Sequence, residues 1–309
     1  MKKCIFLLSF ALILLFPALS LRYAASGLHL WFECMVPVLL PFMILSGVMI
    51  RQNLTEGFAG ALFPFLGRLY KISRNGVYCV IIGFLCGFPM GARTIAELYG
   101  RNGLSKREAG HLLAFCNNIG PVYYISFLLP AIGYKRQFIV IYLFGMYGIP
   151  LLYGLFLRLT GFGLGKPEAS KPSDVSKGAP CTENIAVSLD ESMQSAITGI
   201  TTLGGYMILF NLMNLLPHAL CLLFSAEPSG FLPDLCSCLF EITGGVKRMG
   251  DRFPFFVLVL IPLGGLSCIA QTKSMLRGTD LSMANYLLHK CVQTGMTAVF
   301  YLLFFRLLF

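Results

Sequence analysis

Apolar residues in this chain gather into long runs separated by short basic or polar gaps. A run from Cys4 to about Leu19 follows Met1-Lys2-Lys3. Its shape fits a signal peptide cleaved near Ala18-Leu19-Ser20, or a retained first helix. A second run, Leu28 to Ile50, carries Glu33, Pro37 and Pro41 and reads as a kinked or broken helix. A basic stretch with Arg51, Arg68, Lys71 and Arg74 follows; the apolar piece Phe58 to Leu66 within it is too short to span. The third run, Gly76 to Ala92, is Gly-rich and ends in Gly87-Phe88-Pro89-Met90-Gly91. After a short polar helix with Arg93 and Glu97, Asn102-Gly103 makes a turn. Ser105 with Glu108 forms a capping box that starts a new helix. That helix is interrupted at Asn117-Asn118-Ile119-Gly120-Pro121, resumes to Leu129, and is followed by a clean span from Gln137 to Leu159.

Residues Thr160 to Leu189 break this rhythm. They are polar and rich in Gly, Pro and Ser, the composition of a flexible linker. Ser188 and Glu191 form a second capping box, opening a span to about Pro217. Then come a short apolar piece, Leu235 to Val246, and a run from Phe253 that Gly264-Gly265 interrupts. Polar Gln271-Thr272-Lys273, a mixed stretch from Asp280 to Lys290, and a last span, Cys291 to Phe309, complete the chain. The pattern predicts an all-α polytopic membrane protein made of two related halves with broken or re-entrant helices. Residues 1–27 form an N-terminal membrane helix, 28–159 a first transmembrane repeat, 160–187 the linker and 188–309 a second repeat.

Composition supports that class. The 309 residues are 56% hydrophobic and 12% charged. Soluble domains carry about 25% charged residues, and a surface built from half that supply would expose large apolar patches. The 24 Lys and Arg against 14 Asp and Glu give +10. They sit in the gaps between apolar runs, so they read as topology-setting and lipid-attracting charge rather than a nucleic-acid surface. The 11 cysteines and four histidines show no metal-ligand spacing; no metal, cofactor or disulfide framework is expected. HExxH, GxSxG, Walker and GxGxxG motifs are absent, so neither a hydrolase nor an ATP-driven pump is read here.

The halves also match residue by residue in places. Leu62-Phe63-Pro64-Phe65-Leu66-Gly67 pairs with Leu239-Phe240-Glu241-Ile242-Thr243-Gly244. Gly87 pairs with Gly265, Thr94 with Thr272, and Met43-Ile44-Leu45 with Met207-Ile208-Leu209. Duplicated halves with interrupted segments at corresponding positions point to a secondary transporter. A broken helix bares N–H and C=O groups that hydrocarbon cannot satisfy, so it must face protein or a wet cavity. Whether the halves run parallel or inverted is left open by the distribution of charge.

Ionisable groups inside apolar segments are costly and tend to be functional. Glu241, with Thr243 and the helix-breaking pair Gly244-Gly245, is the leading candidate to bind a solute, coupling cation or proton; a helix-end carboxylate is the alternative. Asn117 and Asn118 come next, suited to a heterocycle edge or ribose hydroxyl, or else to carbonyls freed by Pro121. Thr94, Gln271 and Thr272 are further solute-binding candidates at the polar breaks. Gly87, Pro89, Gly91, Gly120, Pro121, Gly264 and Gly265 are expected to shape the breaks. Arg93 and Glu97, four apart, read as a pair. Glu33, His111 and His289 read as interface residues.

The stretch Phe84-Leu85-Cys86-Gly87-Phe88-Pro89-Met90-Gly91-Ala92-Arg93-Thr94, with Leu98-Tyr99, Leu104-Ser105 and Phe115-Cys116-Asn117-Asn118-Ile119-Gly120-Pro121, resembles the sporulation integral membrane proteins of the YlbJ type. These are grouped with the nucleoside-recognition, or Gate-domain, superfamily; Leu239-Phe240-Glu241-Ile242-Thr243 adds to the resemblance. It implies a multi-pass cell-membrane protein of a spore former that moves a nucleoside-like or related small polar solute; a coupling cation is an open option. A non-transporting scaffold for spore envelope assembly is the competing expectation. The partners expected are the lipid bilayer, the solute and, as an open option, further copies of the chain.

Overall fold

The computed structural model describes residues 10–161, 184–223 and 230–308. Residues 1–9, at the start of the N-terminal run, and most of the expected linker lie outside the described residues. All regular elements among the described residues are helical. Five stretches are long and apolar enough to cross a membrane: Pro17–Arg51, Lys106–Ala131, Arg136–Thr160, Ile185–Ala219 and Pro254–Met275.

The first of these, α1 (Pro17–Arg51), is continuous for 35 residues, so the boundary expected at residue 27 falls inside a helix. The polar residues there do not end it because they face protein. Tyr23 meets the His218 ring (3.4 Å) and lies under the Arg248 guanidinium. Nor do Pro37 and Pro41 break it. A π-helical turn, Leu30–Met35, precedes Pro37, and a widened turn makes room for the proline ring. On the other side of the linker, α9 (Ile185–Leu212) begins with Asn184 as its cap, whose side chain accepts from the Ala186 N–H. The capping box expected at Ser188 is therefore corrected: Ser188 is already helical, and its hydroxyl accepts from Gln52 (2.7 Å).

Helices α1 and α9 pack antiparallel. Arg51, at the end of α1, pairs with Glu191 at the start of α9, while Tyr23 meets His218 in α10 (Leu215–Leu223). This defines an Arg51 face and an opposite face. Two short helices, α2 (Thr55–Ala59) and α3 (Phe63–Tyr70), lie on the Arg51 face. Next, α4 (Arg74–Cys86) and α5 (Met90–Gly100) form a hairpin. Its base is closed by Asn75 donating to the Gly103 carbonyl (3.2 Å), so the expected third span is re-entrant. Ser105 caps α6 (Lys106–Cys116) by accepting from the Glu108 N–H (3.2 Å). The other half of the expected box is diverted, because Glu108 accepts from Ser73 (2.7 Å). Beyond the break at 117–120, α7 (residues 121–131) reaches the opposite face, and α8 (Arg136–Thr160) returns to donate from Arg158 to the Leu69 carbonyl.

After α10, α11 (Phe231–Phe240) and α12 (Ile242–Met249) form a second hairpin, closed at its base by Arg252 and Asp234 (3.1 Å). It enters from the opposite face. Then α13 (Pro254–Leu260) and α14 (Gly265–Met275) cross back, and α15 (Met283–Leu303) crosses again toward α16 (Phe305–Leu308). The Asp280 carboxylate ties the α14–α15 turn to Lys106 (2.5 Å) and Tyr99 (2.8 Å), and these contacts hold it below the usual carboxylate range. The last span thus starts at Met283, eight residues before the expected Cys291. The polar residues of the mixed stretch and beyond, Tyr286, His289, Lys290, Gln293 and Thr297, all turn to one buried helical face.

The element order α1, α4/α5, α6–α7, α8 therefore recurs as α9, α11/α12, α13–α14, α15, traversed in the opposite direction. Of the residue matches read from the sequence, Met43–Leu45 with Met207–Leu209 follows this order, lying on α1 and α9, and the others do not. Leu62–Gly67 falls largely on surface helix α3, whereas Leu239–Gly244 is a hairpin tip. Gly87 sits at a hairpin tip and Gly265 in a broken span. The two largest apolar cores lie one around α1, α4–α6 and α9, the other around α7, α8, α11–α13 and α15. Gly110 lies within α6 with open space where a Cβ would go. Gly110→Ala is expected to raise stability by about 0.5–1 kcal/mol through helix propensity alone, read as a higher unfolding midpoint in detergent.

Candidate functional site

Four chain breaks meet between the two halves. Gly87 ends α4 at φ +82 and ψ −165, a conformation open essentially to glycine alone. Pro89 then caps α5. Gly120 ends the second break in extended backbone, and Pro121 opens α7. Gly87 and Gly120 touch: a Cβ on Gly87 would stand 2.2 Å from the Gly120 nitrogen. Gly264 and Gly265, at φ +74 and +73, separate α13 from α14. The fourth break is Glu241 itself, extended at φ −144 and ψ 113 between α11 and α12.

Three expected breakers are corrected. Gly91, Gly244 and Gly245 lie inside helices, where they allow close crossing. A Cβ on Gly91 would meet the Cys116 carbonyl at 2.6 Å, and one on Gly245 the Cys238 Cα at 2.4 Å. On Gly244 it would meet the Asn211 amide oxygen at 2.7 Å.

A cavity of about 380 Å³ lies where the breaks converge. Phe88, Gly120, Glu241, Thr243, Gly264 and Gln271 each bring a break or its neighbour to the wall, and α1 and α9 close it with apolar side chains. Most of the lining is apolar, so the cavity suits a solute with a hydrophobic body and few polar groups. Glu241 is 2% exposed. Its Oε1 accepts from the Thr243 N–H (3.1 Å), and its Oε2 from the Gly244 N–H (2.6 Å) and the Asn211 amide (3.1 Å). Glu241 is thus both a buried wall residue and the N-cap of α12, where the partial positive charge of the helix end favours a carboxylate. A carboxylate has about four acceptor positions; these three contacts leave one. The Tyr123 hydroxyl, also on the wall, is buried near the Thr243 side chain and makes no hydrogen bond of ordinary geometry. Gln271 is anchored by donating to the Ser267 hydroxyl (2.9 Å).

Asn117, Asn118, Thr94 and Thr272 do not line this cavity. The two asparagines brace the breaks instead. The Asn117 carbonyl accepts from the Ala92 N–H near the start of α5 (3.2 Å), and its amide donates to Thr272 (3.0 Å) and Tyr286 (3.1 Å). Asn118 donates to the Phe115 carbonyl near the end of α6 (2.6 Å). Thr94 is buried with its hydroxyl unpartnered. His111 donates from Nε2 to the Gly154 carbonyl (2.8 Å), and His289 Nδ1 pairs with the Tyr153 hydroxyl (2.7 Å). Glu33 is exposed beside His29 at one edge of the cavity.

Sequence reading missed Lys290. It is fully buried, donating to Asn118 Oδ1 (2.9 Å) and Gln293 Oε1 (3.3 Å), with Nζ 5.1 Å from the Phe88 ring centre and 5.9 Å from that of Tyr286. No carboxylate among the described residues pairs with it. Phe88, whose ring it faces, is a wall residue of the cavity. The signal was present: counted from a start at Ser282, Tyr286, Lys290, Gln293 and Thr297 share one helical face. No cluster of His, Cys, Asp and Glu that could hold a metal occurs among the described residues.

No protein-family profile matches the chain, and no solved structure does. Across 335 aligned positions, covering 98% of this chain and 82% of its counterpart, it is 24% identical to the sporulation integral membrane protein YlbJ of Bacillus subtilis (strain 168). The chain is a multi-pass, all-helical membrane protein, similar over nearly its whole length to a sporulation integral membrane protein.

Proposed function

We propose that this protein is a secondary transporter, acting in a sporulation-associated membrane, that carries a small solute with an apolar body and hydrogen-bonding groups through the cavity at Glu241. A nucleoside-like heterocycle fits that description. One observation carries the reading: a buried carboxylate at a helix N-terminus and a tyrosine hydroxyl with no hydrogen bond of ordinary geometry share a cavity where four interrupted helices meet. Two hairpins entering from opposite faces, with a broken span behind each, are the arrangement expected of an inverted repeat that rocks around a fixed site. We take the two halves as products of duplication on the same grounds. Similarity to YlbJ supports the sporulation setting.

The test is thermal stabilisation of the purified protein, and uptake into proteoliposomes, across nucleosides and nucleobases. A stabilising solute is expected. Tyr123→Phe and Glu241→Gln should each weaken its effect about tenfold, the loss of one good hydrogen bond to a polar or charged group. Tyr123→Phe leaves the α12 cap intact, so it separates solute binding from folding. A blank across the whole panel, or equal stabilisation of both variants, would overturn the proposal in favour of a scaffold.

A further inference from the structure

A second and larger cavity, about 1160 Å³, opens on the Arg51 face between α1, α5, α9 and α14. Tyr206 of α9 lines it, and the next residue along, Met207, lines the inner cavity. Its charged residues are Arg51, Arg93, Arg101, Lys273 and Arg277 against Glu97 and Glu191. Arg51 and Glu191 pair with each other. Among the described residues the other four cations make no ion pair, which leaves four positive groups facing the single carboxylate of Glu97.

Arg101, Lys273 and Arg277, near the ends of their helices, are accounted for by the ordinary excess of basic residues at a membrane surface. Arg93 is not. It is the fourth residue of α5, well inside the hairpin, and 8% exposed. The pairing with Glu97 read from their spacing is not formed. Arg93 donates from Nη2 to the Ser195 hydroxyl (3.0 Å), and its Nη1 is buried with no partner. A buried charged donor without an acceptor is expensive. Gly199 lies beside that atom: a Cβ there would stand 3.0 Å from Nη1 and 2.5 Å from the Met43 methyl, so a side chain at this position would press on both. The neighbouring hydroxyls of Thr198 and Thr202 donate to carbonyls of their own helix, and neither oxygen is within hydrogen-bond reach of Nη1.

We infer that this vestibule binds a phosphate-type oxyanion, carried by a small solute or by a lipid headgroup, with Arg93 as its deepest contact and Lys273 and Arg277 at the mouth. A guanidinium with a free nitrogen suits such a group, because it offers directed donors as well as charge. The cations around it raise the local anion concentration. The site is separate from the Glu241 cavity and stands whether or not that cavity carries a solute.

The experiment uses the full-length protein in nanodiscs. In phosphatidylcholine discs, pyrophosphate is titrated at constant ionic strength, with calorimetry and the thermal midpoint as readouts. In a second arm, discs containing phosphatidylglycerol are compared without pyrophosphate. Binding in the first arm identifies a soluble anion. Stabilisation confined to the second identifies a headgroup. In either arm Arg93→Gln should weaken the effect about tenfold, the value of a charge-assisted contact. The double variant Lys273→Gln with Arg277→Gln should weaken it without touching the buried hairpin. Glu241→Gln should leave it unchanged, which separates this inference from the proposed transport. No response in either arm, or a response that Arg93→Gln and the double variant both retain, would overturn it.

Discussion

Gly87→Ala is expected to destabilise the protein by roughly 3 kcal/mol or more, the sum of a backbone penalty of about 1–3 kcal/mol and a main-chain collision that adds to it. Two independent features converge on that atom. The backbone conformation, φ +82 and ψ −165, is one that side chains with a Cβ avoid. The added methyl would also stand 2.2 Å from the Gly120 nitrogen and 2.7 Å from its Cα. Neither neighbour is the end of a flexible side chain, so the hairpin tip and the α6–α7 break would have to part. Gly110→Ala, in the adjoining helix, is the matched control, since its methyl meets nothing within 4 Å. The readout can be thiol exposure on heating, because Cys79 and Cys116 are free and fully buried beside this junction. Equal midpoints for the two variants would mean that the contact between the breaks is not what holds the first hairpin against the α6–α7 break.

The breaks themselves were legible in the sequence, because glycine and proline act locally. Gly87, Gly120-Pro121 and Gly264-Gly265 interrupt apolar runs, and each interrupts a helix. Glu241 was legible for another reason: a carboxylate inside an apolar stretch is costly wherever it sits. The glycine pair after it was misread as the break. The carboxylate caps α12, so the chain turns three residues earlier, and the glycines serve close packing. Pro37 and Pro41 show the limit of local rules, since a π-helical turn lets α1 continue past both.

Relations between the halves were harder to read, and the reason is physical. When the same order of elements is traversed in opposite directions, each segment meets the other face of the membrane and different neighbours. Identity at matched positions is then not required, only the order of span, hairpin, broken span and span. Chance matches among abundant Gly, Leu and Phe, such as Leu62–Gly67 against Leu239–Gly244, can outscore the correspondence in element order. Side-chain roles at the junction were hidden likewise. Asn117 looked like a solute ligand because its amide is versatile, but its partners, Ala92, Thr272 and Tyr286, come from three other helices.

Lys290→Met is expected to abolish solute-dependent stabilisation and uptake while shifting the unfolding midpoint by only a few degrees. The ammonium is enclosed, and its partners are two amide oxygens and two aromatic faces, none of them charged. Burying one ion costs several kcal/mol even after relaxation. Charge-assisted hydrogen bonds return about 1.5–3 kcal/mol each, and a desolvated cation–π contact about 2 kcal/mol. These opposing quantities are of similar size, so removing the charge while keeping the bulk changes stability little. Position is another matter. The ammonium links Asn118, in the α6–α7 break, to Gln293 on α15, and it holds the face of Phe88, the ring that forms part of the cavity wall. Without it the hairpin tip loses its tie to the second half, and the wall loses its fixed shape. Lys290→Gln keeps a donor for Asn118 and should retain part of the response, whereas Lys290→Met should retain none. If Lys290→Met took up solute as the parent does, the buried ammonium would have no part in shaping the cavity. If it failed to fold at all, the balance of burial against neutral partners argued above would be wrong.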